Sequence, residues 1–128
     1  MAVSSALFSC ENVCLSLGGR RILTNVSIDV NPGEIVGLVG PNGAGKTSLF
    51  EVLCGRYNQE SGKVSMGEQD LSNIAFFQRT RIGLGRTYQS PVTPASLTVG
   101  ETFRATRKAY KPFLSVHDAE WALSLIHI

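Results

Sequence analysis

Residues 34–54 read EIVGLVGPNGAGKTSLFEVLC, and the rest of the chain is organised around them. Ile35, Val36, Gly37, Leu38 and Val39 form an apolar run of the kind that fills a buried parallel strand. The run stops at Gly40-Pro41-Asn42-Gly43-Ala44-Gly45-Lys46-Thr47, a match to the phosphate-loop pattern G-x-x-x-x-G-K-[ST]. Leu49, Val52 and Leu53 then recur at helical spacing, which predicts a helix from about Lys46. The loop is therefore expected between a strand and a helix, the context that gives the motif its meaning.

A phosphate chain is bulky and anionic, and several inward-pointing backbone N–H groups bind it best. Gly40, Gly43 and Gly45 allow the loop that shape because no Cβ intrudes. The helix start adds its positive dipole end and its unpaired N–H groups. By the roles general to this motif, Lys46 carries a mobile full charge to the β- and γ-phosphates, and the Thr47 hydroxyl is a ligand for Mg²⁺. Ser48 adds a hydrogen bond to a phosphate oxygen, and Pro41, Asn42 and Ala44 complete the loop. The expected cofactors are ATP and Mg²⁺.

With 128 residues the chain is at most one domain, and short for a phosphate-loop ATPase, whose parallel sheet needs several crossovers to cover both faces. An incomplete domain is expected. A hydrophobic content of 43% with 17% charged residues marks a globular chain, and a net charge of +2 is too small to argue for nucleic acid. No apolar run approaches the ~20 residues that span a bilayer, and MAVSSALFSC lacks a signal peptide's basic start, so a cytoplasmic chain is expected. Cys10, Cys14 and Cys54 are odd in number and lack CxxC spacing, which predicts reduced core thiols.

Upstream, residues 7–17 alternate like a strand, and Gly18-Gly19-Arg20-Arg21 supplies a turn. Val26, Ile28 and Val30 alternate against Ser27 and Asp29 as far as the turn Asn31-Pro32-Gly33-Glu34, so a β-hairpin precedes the loop. Two antiparallel strands, then N-P-G-E, then G-L-V-G-P-N-G-A-G-K-T-S-L, resemble the start of an ATP-binding cassette (ABC) ATPase. The similarity runs from about Leu7 to about Ala122. The resemblance implies an α/β phosphate-loop NTPase fold: an antiparallel β-subdomain, part of a RecA-like core, and the start of a helical subdomain. In that family an aromatic residue stacks on adenine just ahead of the glycine turn. The matching position here is Leu17, which retains apolar contact with the base but loses stacking of ~1–3 kcal/mol.

Downstream, Gly55 is placed to end the helix, and Ser61–Gly67 resembles the family's next short strand. The pattern in 71–81 predicts a helix that Gly83-Leu84-Gly85 breaks. In Ile82-Gly83-Leu84-Gly85-Arg86-Thr87-Tyr88-Gln89, the resemblance implies a strand ending in Gln89, whose amide reaches Mg²⁺ and the attacking water. The wording, followed by Leu97-Thr98-Val99-Gly100-Glu101, is similar to ATPases of importers for branched-chain and other hydrophobic amino acids. Urea-type importers and the lipopolysaccharide-export ATPase look similar.

Thr98 and Glu101 form a capping box, so a helix is expected from Val99 to about Tyr110. Arg104, Arg107, Lys108 and Lys111 share one face of it, read first as a solvated basic face and otherwise as a contact to a membrane subunit or acidic headgroups. Ser115 and Asp118 offer a second cap for a helix through Trp121.

Residues 1–122 are thus read as the N-terminal part of one ABC ATPase domain, with 34–54 the strand, loop and helix and 90–122 the start of the helical subdomain. The last six residues, Leu123–Ile128, read as foreign: one back-translation resembles a transposon mosaic end used in sequencing libraries. The chain contains no Asp-Glu pair and no LSGGQ-like signature, and neither His117 nor His127 stands where a switch histidine would. Alone it is expected to bind nucleotide weakly and not to hydrolyse it, for want of a general base. The complete protein is expected as a peripheral subunit on the cytoplasmic membrane face. Its partners would be a second ATP-binding subunit, transmembrane permease subunits and, indirectly, a solute-binding protein, with no nucleic acid. The alternatives are a soluble ABC-type ATPase acting on DNA or ribosomes, which the lack of a heptad run between Thr47 and Gln89 disfavours for the DNA-repair type, and a non-hydrolysing nucleotide-binding fragment.

Overall fold

A computed structural model describes residues 6–90 and 94–110. The chain divides into two units, Met1–Phe76 and Phe77–Ile128.

The first unit is built on strands β1 (Phe8–Leu17) and β2 (Arg20–Val30), joined by the two-residue turn Gly18-Gly19. Both turn glycines have positive φ, +56° and +77°, which a tight hairpin matching the strand twist requires. Helix α1 (Lys46–Leu53) follows, then β3 (Ser61–Met66) and the short β4 (Gln69–Asp70). The strands form one sheet in the order β2-β1-β3-β4, and every neighbouring pair is antiparallel. The expected hairpin and the strand after it are present.

Burial along β1 does not alternate cleanly. Cys10 is buried, Glu11 and Asn12 are exposed, and Val13, Cys14 and Leu15 are buried in succession. The register shifts between Cys10 and Val13, where Asn12 takes a φ of +49°, and Asn25 takes the same value on β2. Bulges of this kind bend the strand and re-aim the side chains that follow. The core collects Cys10, Val13, Leu15, Leu23, Val64 and Leu71 with Leu49 and Val52 of α1, which packs on β2. Ser9 and Ser65, both buried, satisfy each other across β1 and β3 with hydroxyls 2.9 Å apart. The three cysteines are buried thiols that form no disulfide, as expected.

The C-terminus of α1 closes in a Schellman motif. The Gly55 N–H donates to Val52 O at 3.0 Å and the Arg56 N–H to Glu51 O at 2.8 Å, with Gly55 at φ +89°.

The sequence reading fails at 35–39. This run is not a strand: residues 31–40 are all exposed, and Ile35 and Val39 are each 96% exposed. A parallel strand exists only by pairing with strands brought alongside through crossovers, and among the described residues no strand runs beside this one. The turn before it is formed, with the Glu34 N–H donating to Asn31 O at 3.0 Å and Glu34 Oε2 accepting from the Asn31 N–H at 2.7 Å.

The helix expected over 71–81 is shorter, α2 spanning Phe76–Arg81. Asp70 Oδ1 accepts from the Ser72 N–H at 2.8 Å, and Leu71 O accepts from the Ile74 N–H at 3.0 Å. That turn takes the backbone groups a longer helix would need.

In the second unit Leu84–Tyr88 forms no strand, which corrects the reading of that stretch for the same reason as 35–39. Helix α3 (Val99–Tyr110) has the predicted bounds. Its capping box is complete: the Glu101 N–H donates to Thr98 Oγ1 at 3.2 Å, and Glu101 Oε2 accepts from the Thr98 N–H and hydroxyl, each at 2.8 Å. The helix predicted from Ser115 and the tail Leu123–Ile128 lie outside the described residues.

These bonds, first the Thr98 backbone N–H and then its hydroxyl, hold the Glu101 carboxyl below its ordinary value. A depressed folded-state value means the cap contributes fully above the unfolded carboxyl range, ~4.3, and is lost as pH falls through the lower folded value. The helical circular-dichroism signal is expected to drop in that acidic window, and the Glu101-linked part of the drop to vanish in Glu101→Gln. An identical acid transition in that variant would show that the cap does not titrate.

Candidate phosphate-binding site

The loop Gly40–Thr47 sits between the exposed segment 34–39 and α1. A turn at Pro41–Ala44, closed by the Ala44 N–H donating to Pro41 O at 3.2 Å, folds it back, with Gly43 at φ +82°. Gly45, at φ +97°, is the N-cap of α1, and its carbonyl accepts the first helical bond from Leu49 N–H at 2.9 Å.

A helix start usually borrows a Ser, Thr, Asp or Asn side chain to satisfy its first N–H groups. Here the cap is glycine, no side chain caps the helix, and its first turn holds no acidic residue. The N–H groups at the head of α1 therefore meet no carboxylate from the helix's own first turn, an arrangement that suits an anion. The Lys46 ammonium folds back across the same place, donating to the carbonyls of Gly40 and of Pro41, the latter at 2.7 Å. Among the described residues it makes no ion pair. Its charge stays at the loop.

The loop is positioned from behind. A Cβ at Gly45 would lie 3.1 Å from Leu23 Cδ2, 3.2 Å from Ile22 O and 3.3 Å from Ile22 Cγ2, so loop and β2 touch with only a hydrogen between them. Ile22 and Leu23 read in the sequence as the start of the second strand, with no sign of this contact; a close approach leaves no signal there beyond the glycine. This contact also sets the turn end of the hairpin beside the loop. Leu17 pairs with Arg20 at that end and is 39% exposed, available for apolar contact.

Thr47 is exposed and Ser48 half-buried on the first turn of α1, both free to face a ligand at the helix start. Gln89, also exposed, belongs to the second unit, just after Tyr88, whose ring lies under the Arg86 guanidinium at 4.6 Å. The structure thus brings together Gly40, Pro41, Asn42, Gly43, Ala44, Gly45, Lys46, Thr47 and Ser48. The donor set fits a polyphosphate.

The family profile described as ABC transporter matches residues 23–127. The lipopolysaccharide export system ATP-binding protein LptB of Haemophilus influenzae is 35% identical over 121 residues, 94% of this chain and 50% of that protein. The high-affinity branched-chain amino acid transport ATP-binding protein LivG of Escherichia coli K12 is 38% identical over 87 residues, 68% of this chain and 34% of that protein. Among solved structures, the ADP conformation of MJ1267, an ATP-binding cassette of an ABC transporter, matches with a TM-score of 0.63 and 32% identity over 67% of this chain and 34% of that one. The ATP-binding subunit of another ABC transporter matches with a TM-score of 0.72 and 26% identity over 87% and 45%. The chain spans half or less of the length of these relatives. With the phosphate loop on the β-hairpin and a family match over most of its length, the chain belongs to the ABC transporter family, among its ATP-binding subunits.

Proposed function

We propose that this chain is the N-terminal part of the ATP-binding subunit of an ABC transporter, coupling ATP binding and hydrolysis in the complete protein to solute transport. The observation that carries this reading is the uncapped head of α1 with Lys46 laid across the loop. In this reading the backbone N–H groups of 40–48 hold the phosphates and Lys46 balances charge on the β- and γ-phosphates. Thr47 and Gln89 hold Mg²⁺, Gln89 also orients water, and Leu17 lies against the base. When bound, Mg²⁺ would supply positive charge to offset the negative charge of the phosphates. Residues 1–122 belong to one ABC ATPase domain, with 90–122 opening its helical subdomain, and 123–128 stand outside it.

The complete subunit pairs with a second copy or a homologue on the cytoplasmic face of the membrane, docked to permease subunits and served indirectly by a solute-binding protein. No helix among the described residues is long and apolar enough to cross a membrane. For the solute, G-R-T-Y-Q followed by L-T-V-G-E and the similarity to LivG support import of branched-chain or other hydrophobic amino acids. A second reading, lipopolysaccharide export, is favoured by the longer alignment to LptB. Sequencing the gene past codon 122 tests the reading: an LSGGQ-like signature and four apolar residues followed by Asp-Glu support it. A stop codon there removes hydrolysis from it, and the neighbouring permease genes decide between the two solutes.

Leu17→Tyr restores a stacking surface at the hairpin end. ATP affinity of the full-length protein is expected to rise roughly 5- to 100-fold, from ~1–3 kcal/mol of stacking. Equal affinities by titration calorimetry would remove Leu17 from the base site.

A further inference from the structure

The basic face of α3 is not part of the phosphate loop. Among the described residues of the second unit, six basic side chains stand against a single carboxylate, Glu101. That carboxylate is turned to the helix start and bonded to Thr98, so it does not neutralise the arginines one turn on. Arg104, Arg107 and Lys108 are exposed, lie at i, i+3 and i+4, and make no ion pair among the described residues. Lys111 continues the same spacing in the sequence.

The helix is polarised. Val99, Phe103 and Thr106 follow the opposite stripe, where Thr102 and Thr106 return their hydroxyls to the carbonyls of Thr98 and Thr102 at 3.0 and 2.9 Å. Those hydroxyls are satisfied within the helix, which leaves methyl groups on that side and concentrates the polar character on the cationic face. Three exposed cations on adjacent turns of a capped helix, with no ion pair among the described residues, form a charge array along one face. An array of this kind fits a plane of phosphates better than a single buried anion, for which it offers no enclosing pocket.

We propose that this face of α3 rests on the anionic headgroups of a phospholipid bilayer, holding the protein peripherally by charge without insertion. The apolar stripe is too narrow to anchor a helix in acyl chains, so the attachment is electrostatic and falls with salt. The proposal stands apart from the nucleotide reading: its failure leaves the Lys46 assignment untouched, and the reverse holds.

The test is flotation of the 128-residue chain, and of the full-length protein, with vesicles of phosphatidylcholine alone or with 30 mol% phosphatidylglycerol, both at low and high KCl. Expected is binding to the anionic vesicles only, release at high salt, and at least a tenfold loss on Arg104→Gln/Arg107→Gln/Lys108→Gln. Arg104→Lys/Arg107→Lys, which preserves charge and helix, is expected to bind like the parent, and circular dichroism of each variant shows whether α3 persists. Equal binding to neutral vesicles, undiminished binding by the triple Gln variant, or loss in the charge-preserving variant would each overturn the proposal. So would binding only to an acidic permease segment with none to lipid.

Discussion

Lys46→Ala in the full-length protein is expected to weaken ATP binding by roughly 10- to 100-fold, and to slow hydrolysis by about a further 100-fold or more. The first figure follows from the ~1.5–3 kcal/mol that a hydrogen bond to a charged group is worth, read as an affinity ratio. The second follows from what removal of one preorganised charge donor costs a reaction whose catalysis is mostly electrostatic. In the structure the Lys46 ammonium lies across the loop, where it donates to the Gly40 and Pro41 carbonyls. A phosphate meeting the loop therefore meets a cation already confined to the right place, and less ordering entropy is lost on binding. Alanine is the best helix former, so α1 is expected to persist with an unchanged melting temperature. Lys46→Arg separates charge from shape, because the planar guanidinium keeps the charge but cannot occupy the same space between the carbonyls. Its affinity is expected between those of the parent and Lys46→Ala. Titration calorimetry decides: an unchanged ATP affinity in Lys46→Ala would remove the phosphate assignment, and with it the reading of the chain as nucleotide-binding.

How much was legible in the sequence depended on how local each interaction is. The hairpin turn, the capping box at Thr98 and Glu101, the start of α1 at Lys46 and its end at Gly55 are set by residues a few positions apart. The capping box and both ends of α1 match the reading, while the turn expected over 18–21 closes within Gly18-Gly19 and Arg20 and Arg21 join β2. The apolar run 35–39 has the right composition for a strand, but a strand is a relation between segments and its partners are not among the described residues. Helix α2 starts later than the pattern in 71–81 predicts because the Asp70 side chain holds a turn over 70–72. Within the candidate site, the loop residues follow from the motif, whereas the support behind them does not. Nothing in a sequence says that Gly45 meets Ile22 and Leu23, since contacts across more than twenty positions leave only a glycine to mark them.

Gly62 is a stronger case of that kind, and Gly62→Ala is expected to destabilise the fold more than a methyl added at Gly45 or Gly67. It has a φ of +90°, and a Cβ there would lie 2.5 Å from both Glu11 O and Asn12 O and 2.6 Å from Asn12 C. No flexible side chain can give way, because all three atoms are backbone. They belong to the β1 bulge, whose Asn12 at φ +49° carries the chain from exposed Glu11 to buried Val13. Moving β3 away would break its ladder to β1, where Glu11 pairs with Lys63 and Cys14 with Ser61. An unfavourable φ for alanine costs ~1–2 kcal/mol and overpacking a further ~1–3, together a large share of the ~5–15 kcal/mol that holds a domain. A fall in melting temperature of roughly 8–40 °C is expected, at ~4–8 °C per kcal/mol. Gly67→Ala is the control, since Gly67 has a φ of +56° but nothing within 4 Å of its added methyl, so only the backbone cost applies. Asn12→Gly should not rescue Gly62→Ala, because the clash is with the Asn12 carbonyl and not its side chain. Rescue, or equal losses at Gly62 and Gly67, would mean that β3 does not cross the bulge this closely, and that the junction of β1 and β3 is held by the ladder alone.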